Sequence, residues 1–210
     1  MFRDMIATSR VFFVILKRLV LASALSGITN TASAFDVTSV TEAELALSPS
    51  YCAYAQLFPR HNTPAAKRWA ARMGEESFRH IHHYCWGLIN LQRARRNTVS
   101  QQEKLQLLAA SNADFNYVIK RAPKGFVLLP EILTRDGEVF LLRSLPNEAN
   151  KSFAQARALK PDYWPAYSVW VEFLIYSGNK VEAKRLVETG LKYSPRSKVL
   201  REQYRLLGGN

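Results

Sequence analysis

Ala149-Asn150-Lys151-Ser152-Phe153-Ala154-Gln155-Ala156-Arg157-Ala158-Leu159-Lys160-Pro161 and Ala183-Lys184-Arg185-Leu186-Val187-Glu188-Thr189-Gly190-Leu191-Lys192-Tyr193-Ser194-Pro195 carry one pattern. A small residue is followed by a bulky apolar one, a second small residue and a terminating proline. Each element recurs after 34 residues. Small residues at Ala149, Ala156, Ala183 and Gly190 let a neighbouring helix come close, while Phe153 and Val187 fill the space between helix pairs. Pro161 and Pro195 lack the amide that a continuing helix needs.

Outward from this pair, helical spacing continues in both directions. Helices are expected at about 128–143, 147–159, 163–177 and 180–193, with a last one at 196–207, separated by Pro146, Pro161, Gly178 and Pro195. Upstream, Phe78, Ile81, Cys85, Leu88 and Leu91 set a long helix from Glu75 to Arg96. Leu105, Leu108, Ala109, Phe115 and Val118 set another from Ser100 to Arg121, opened by a Ser100/Glu103 capping box. Thr63-Pro64 opens a shorter helix that Gly74 ends. Residues 35–63 lack strong periodicity, so a short helix and then extended chain are expected there. With no strand-like alternation, the predicted class is all-α, a short solenoid of helical hairpins with an N-terminal helical extension.

The repeat resembles the tetratricopeptide repeat, whose period and second-helix signature it shares. Gly137 stands at the small position of the family's first helix, and Tyr167, Trp170 and Leu174 at its large apolar positions, with Val171 replacing the expected Gly. A degenerate unit upstream pairs Trp86-Gly87 with Ala113-x3-Tyr117, the latter 36 residues before Ala149. The strings His83-Tyr84-Cys85-Trp86-Gly87-Leu88 and Leu159-Lys160-Pro161-Asp162-Tyr163-Trp164 are similar to those of exported bacterial repeat proteins. The resemblance implies a superhelical scaffold lined inside by first helices and holding a peptide or helix of another protein. Its inner positions fall on Glu131, Arg135 and Glu138 in one unit and on Ser168, Glu172 and Tyr176 in the next, an acidic wall on a basic protein. Alternatively, this face is simply solvated, with Glu131 paired to Arg135.

The boundaries expected are 1–34 as a signal peptide, 35–74 as the extension, and 75–207 as repeats. The last divide into 75–125, 128–161, 162–195 and a capping helix at 196–207. Arg3, Arg10, Lys17 and Arg18 precede an apolar run from Leu19 to Ile28 and then Ala32-Ser33-Ala34, the layout of a secretory leader cut after Ala34. Lys17 and Arg18 leave that run too short to cross about 30 Å of hydrocarbon. Removing residues 1–34 takes away four basic side chains and Asp4, lowering the net charge by three, from +12 to +9. For an exported, periplasmic chain the partner of such a charge is not nucleic acid. The second functional reading is therefore peripheral contact with anionic envelope polymer or lipid through Lys67, Arg68, Arg72, Arg93, Arg95 and Arg96. The excess charge also serves solubility alone.

Cys52 and Cys85 are the chain's two cysteines. In an oxidising compartment an isolated pair reads as a disulfide, closing a loop worth roughly 3–4 kcal/mol; two buried thiols are the competing reading. His80-x-His82-His83-x-Cys85 raises the question of a metal, but ligands on one helix converge only at three- or four-residue spacing, which links no more than two of these residues at a time, as with His82 and Cys85. No phosphate loop, nucleophile elbow or orienting third group accompanies them. Neither catalysis, nor a metal, nor a cofactor is expected. Tyr163, Trp164, Tyr167 and Trp170 read as repeat core rather than a sugar-stacking platform. The leading expectation is a protein–protein interaction module serving assembly or maintenance of a cell-envelope system.

Overall fold

A computed structural model describes residues 40–209. The leader and its cleavage point after Ala34 lie outside the described residues. All described secondary structure is helical: α1 (Glu42–Ala46), a 3-10 turn (Ser50–Tyr54), α2 (Pro64–Met73), α3 (Glu75–Ala94), α4 (Gln101–Arg121), α5 (Leu129–Leu142), α6 (Pro146–Leu159), α7 (Pro165–Tyr176), α8 (Lys180–Tyr193) and α9 (Lys198–Leu206). The starts follow local chemistry. Thr41 and Glu44 close a capping box on α1, and Thr63, Ser100, Asn179 and Ser197 accept the first free amides of α2, α4, α8 and α9. Pro64, Pro130, Pro146 and Pro165 sit in first turns, where no amide partner is needed. The chain expected to be extended after α1 is instead folded into the 3-10 turn and further turns up to Asn62.

Consecutive helices fold back on each other as pairs, α3 on α4, α5 on α6 and α7 on α8. The pairs are joined by contacts of α4 with α5 and α6 with α7, and α5 also meets α7. The last helix, α9, packs on both α7 and α8.

One contact explains the close approach within the first two pairs. A Cβ on Gly137 would lie 2.7 Å from Phe153 of the facing helix, and a Cβ on Gly87 would collide with Phe115. In the third pair Val171 and Val187 stand where Gly137 and Phe153 do, and both are fully buried. The methyls added at one position replace ring volume lost at the other, the compensation a close-packed interior demands. The upstream register therefore differs from the sequence expectation. Ser111 and Phe115 are fully buried, whereas Ala113 is exposed and Tyr117 half-buried, so the matching element is Ser111-x3-Phe115. The Ser111 hydroxyl donates to the Gly87 carbonyl at 2.9 Å, fixing α4 against α3 at this point.

The turns also repeat. The Leu145 amide donates to the Phe140 carbonyl at 2.9 Å, and the Asn179 amide to the Leu174 carbonyl at 2.8 Å. Each is the six-residue closure that absorbs the orphan carbonyls at a helix end.

Two apolar clusters form the interior. The first joins the extension to α3, α4 and α5 through Leu45, Tyr51, Cys52, Phe58, Ile81, Tyr84, Cys85, Phe115 and Ile132 among others. The second joins α6 to α7, α8 and α9 through Phe153, Tyr167, Trp170, Val187 and Leu200. Cys52 and Cys85 form a disulfide in the first cluster, both fully buried, with Cα atoms 5.5 Å apart. The free-thiol reading is thereby excluded, and the bond points to an oxidising compartment. Among the described residues no helix is long and apolar enough to cross a membrane.

Candidate functional site

Helix α5 presents Glu131, Arg135 and Glu138 along one stripe, as its three- and four-residue spacing requires. The structure gathers them with side chains from other elements. Arg135 donates from Nη1 to both oxygens of Glu138, at 2.9 and 3.1 Å, and Arg95 at the end of α3 approaches the same carboxylate at 3.5 Å. Glu131 is not held by Arg135; it accepts a hydrogen bond from the Tyr84 hydroxyl at 2.8 Å. Burial disfavours the charged Arg135 guanidinium, but Glu138, Tyr84 and Glu131 outweigh it and its pKa is raised.

Three tyrosines feel this cluster. Burial, reinforced by the Glu131 charge, pushes up the Tyr84 and Tyr51 hydroxyls and takes Tyr163 to about 12. All three remain neutral at physiological pH, and Tyr84 donates to Glu131.

The corresponding residues of α7 form no such cluster. Ser168 is buried, and its carbonyl accepts from Gln203 Nε2 at 3.0 Å. Glu172 is exposed and makes no ion pair among the described residues, and Tyr176 is 91% exposed. Glu138 and Glu172 share a sequence register but not an environment: Glu138 is neutralised by two arginines, whereas Glu172 faces water. The uniform acidic wall therefore reduces to one free carboxylate beside a projecting tyrosine.

The basic residues divide likewise. Lys67, Arg68 and Arg72 are exposed on α2. At the end of α3, Arg93 and Arg96 close on the buried Glu44 at 2.7 and 2.6 Å. The hydrogen bond from Arg93 dominates, with further help from Thr41 and Arg96 against the cost of burial, and lowers the Glu44 pKa to about 2. These arginines pin α1 onto α3, and Arg95 serves Glu138, so the six basic residues form no single free patch.

The extension supplies what the sequence left unplaced. Leu47, Ser48 and Pro49 form one wall of a notch of about 370 Å³, Leu88, Leu91, Gln92 and Arg95 of α3 its floor, and Glu131 and Arg135 of α5 its far side. Leu88, Gln92 and Arg95 follow one another at helical spacing, a signal visible in sequence. The facing wall was not, because residues 47–49 lack periodicity.

A larger cleft of about 430 Å³ lies among α4, α5 and α6. Its buried polar groups satisfy one another. Asp136 accepts from Asn112 and Ser152, each at 2.7 Å, and Arg143 Nη1 donates to Asn112 Oδ1 at 2.8 Å. Burial raises the Asp136 pKa against those bonds.

His82 and His83 have separate hydrogen-bond partners. His82 Nδ1 lies 2.9 Å from the Arg79 carbonyl, and burial lowers its pKa to about 4. His83 pairs with Asp114 at 2.8 Å and stacks on Tyr117. Cys85, bonded to Cys52, has no thiolate to offer a metal. Tyr167 and Trp170 are core, as expected, while Trp164 is 38% exposed. Neither a protein-family model, nor a curated protein, nor a solved structure matches this chain.

Proposed function

We propose that the chain is an exported, periplasmic interaction module of tetratricopeptide type that captures a segment of another protein and serves a cell-envelope system. The observation carrying this reading is the recurrence of one helix-pair unit. The turn closure returns after 34 residues, a glycine meets a phenylalanine of the facing helix in each of the first two pairs, and α5 meets α7 as α7 meets α9. Stacked units of this kind leave first-helix faces side by side, a surface suited to an extended or helical ligand. The disulfide agrees with export. Binding of anionic polymer through the basic surface is the weaker reading, because Arg93, Arg95 and Arg96 are engaged within the protein.

The deciding experiment is crosslinking of the native protein in intact cells, followed by affinity capture and mass spectrometry. A discrete envelope protein, recovered at high salt, supports the module. Recovery of polymer or lipid alone, lost steeply with salt, supports the alternative.

A further inference from the structure

Helix pairing returns the chain to the same edge three times, in the turns from α4 to α5, from α6 to α7 and from α8 to α9. Neighbouring turns are tied together. Ser194 Oγ donates to the Asp162 carbonyl at 2.7 Å, and Tyr163 packs against the first apolar cluster, as Leu128 of the preceding turn does. Each turn carries the same mixture. Exposed Lys120, Arg121 and Lys124 lead to Val127, which is 66% exposed. Exposed Lys160 stands between exposed Leu159 and Trp164. Exposed Lys192, Arg196 and Lys198 flank Tyr193, which is 54% exposed. Among the described residues none of these cations is bound to a carboxylate; Arg121 lies over the Tyr117 ring. Asp162 is the only acidic residue in the three turns. Where α3 begins on this edge, Arg72 and Arg79 are offset by Glu75 and Glu76, so the excess charge lies in the turns.

Helix ends alone do not explain the pattern. Cations in the last turns of α4 and α8 complement the helix dipole, but Lys198 opens α9, where positive charge is disfavoured, and Lys124 and Arg196 lie outside helices. At the opposite edge Arg95, Arg96 and Arg143 are held by Glu138, Glu44 and Asn112, leaving Lys104 and Lys180. Charge alone would suit any polyanion, and the apolar side chains decide between them. They are spaced along the edge between lysines rather than gathered into the contiguous patch that a protein interface packs. Tryptophan and tyrosine beside long basic side chains are suited to the headgroup level of a bilayer, where the ring is half immersed and the ammonium stays wet. We infer that this edge rests on an anionic lipid bilayer, with its lysines and arginines among the headgroups and Val127, Trp164 and Tyr193 reaching below them. This goes beyond the interaction-module reading and does not rest on it. It also moves the envelope contact from the basic residues of α2 and α3 to the turns.

The test is sedimentation of the native, oxidised protein with vesicles of phosphatidylglycerol and phosphatidylethanolamine, against vesicles of phosphatidylcholine. Brominated lipid in the first set quenches any tryptophan at the interface. One variant reverses the edge, Lys120→Glu with Lys124→Glu and Lys192→Glu. A second, Val127→Ala with Tyr193→Ala, shortens its apolar side chains. A third reverses α2, Lys67→Glu with Arg68→Glu. All these side chains are exposed, and circular dichroism confirms equal helicity. The expected result is salt-sensitive binding to the anionic vesicles, weakened at least roughly tenfold by the first variant, about threefold by the second and hardly at all by the third. Brominated lipid should quench the parent more than Trp164→Phe. Equal binding to phosphatidylcholine, or loss with the third variant and not the first, would overturn the edge as a membrane contact. Capture of soluble polyaspartate with no quenching of Trp164 by brominated lipid would make the partner an acidic polymer and overturn it too.

Discussion

Ser144 and Gly178 stand at the same place in consecutive turns, 34 residues apart, and both adopt left-handed backbone, with φ of 60° and 82°. Glycine takes this conformation freely; serine pays for its Cβ. Ser144→Gly should therefore stabilise the protein by about 0.5–1 kcal/mol, the strain relieved being partly offset by a more flexible unfolded chain. Urea denaturation reads this as a higher midpoint at unchanged slope. A lower midpoint would mean that the turn is not strained.

The valine pair of the third unit predicts how the second can be rebuilt. Gly137→Val drives a side chain into Phe153 and should cost about 3 kcal/mol. Adding Phe153→Val reproduces the arrangement of Val171 and Val187 and should recover more than half of that loss. Additive losses in the double variant would show that the two sites do not trade volume.

Stability should fall with acid in two separate steps. His82 stays neutral in the fold down to about 4, whereas the unfolded chain takes up the proton near 6.5. Protonation thus favours unfolding as pH drops through that interval, by on the order of 2–3 kcal/mol. Glu44 is ionised in the fold down to about 2 against 4.5 unfolded, so its contribution, of similar order, is lost between those values. Thermal melts of His82→Gln should lack the upper step, and those of Glu44→Gln the lower. Profiles parallel to the parent in both variants would refute the assignment.

Charge reversal should affect Glu138 and Glu172 differently. Glu138→Lys would face Arg135 and Arg95 at close range and should cost about 1–3 kcal/mol. Glu172→Lys, on an exposed side chain, should shift stability by less than about 0.5 kcal/mol. Paired urea titrations distinguish them, and equal effects would show that the local ion pairs are immaterial. Only Glu172→Lys is then a clean probe of partner capture.

Replacing Cys52 and Cys85 together by serine should lower stability by about 3 kcal/mol, through a freer unfolded chain. The parent should incorporate alkylating reagent only after reduction in denaturant. Labelling of the folded, unreduced protein would contradict the bond.

Much of this architecture was legible in residues alone. The helix limits followed from prolines, capping side chains and apolar spacing, because these act over a few residues. The 34-residue register of Ala149 and Ala183 was legible because both are buried contact positions. The upstream register was misread at Tyr117 because two aromatics two residues apart, Phe115 and Tyr117, both fit a loose pattern. Only the approach of Gly87 to Phe115 decides between them. The candidate site was half legible. Helical geometry puts Glu131, Arg135 and Glu138 together, but Tyr51, Leu47 and Arg95 reach them from distant parts of the chain. Such pairings are set by packing and leave no periodic trace.

The disulfide lies within the first apolar cluster, and its loop ends before α4 begins. Its effect on the unfolded chain is confined to that end, while α7, α8 and α9 are kept in place by packing and hydrogen bonds without a covalent link. Amide protons should accordingly exchange sooner in α9 than in α3, and proteases should nick the C-terminal helices first. The two apolar clusters thus differ in kind. The notch beside Gln92 is set on the covalently braced cluster. The α7 face with Glu172 and Tyr176 lies in the part without that brace.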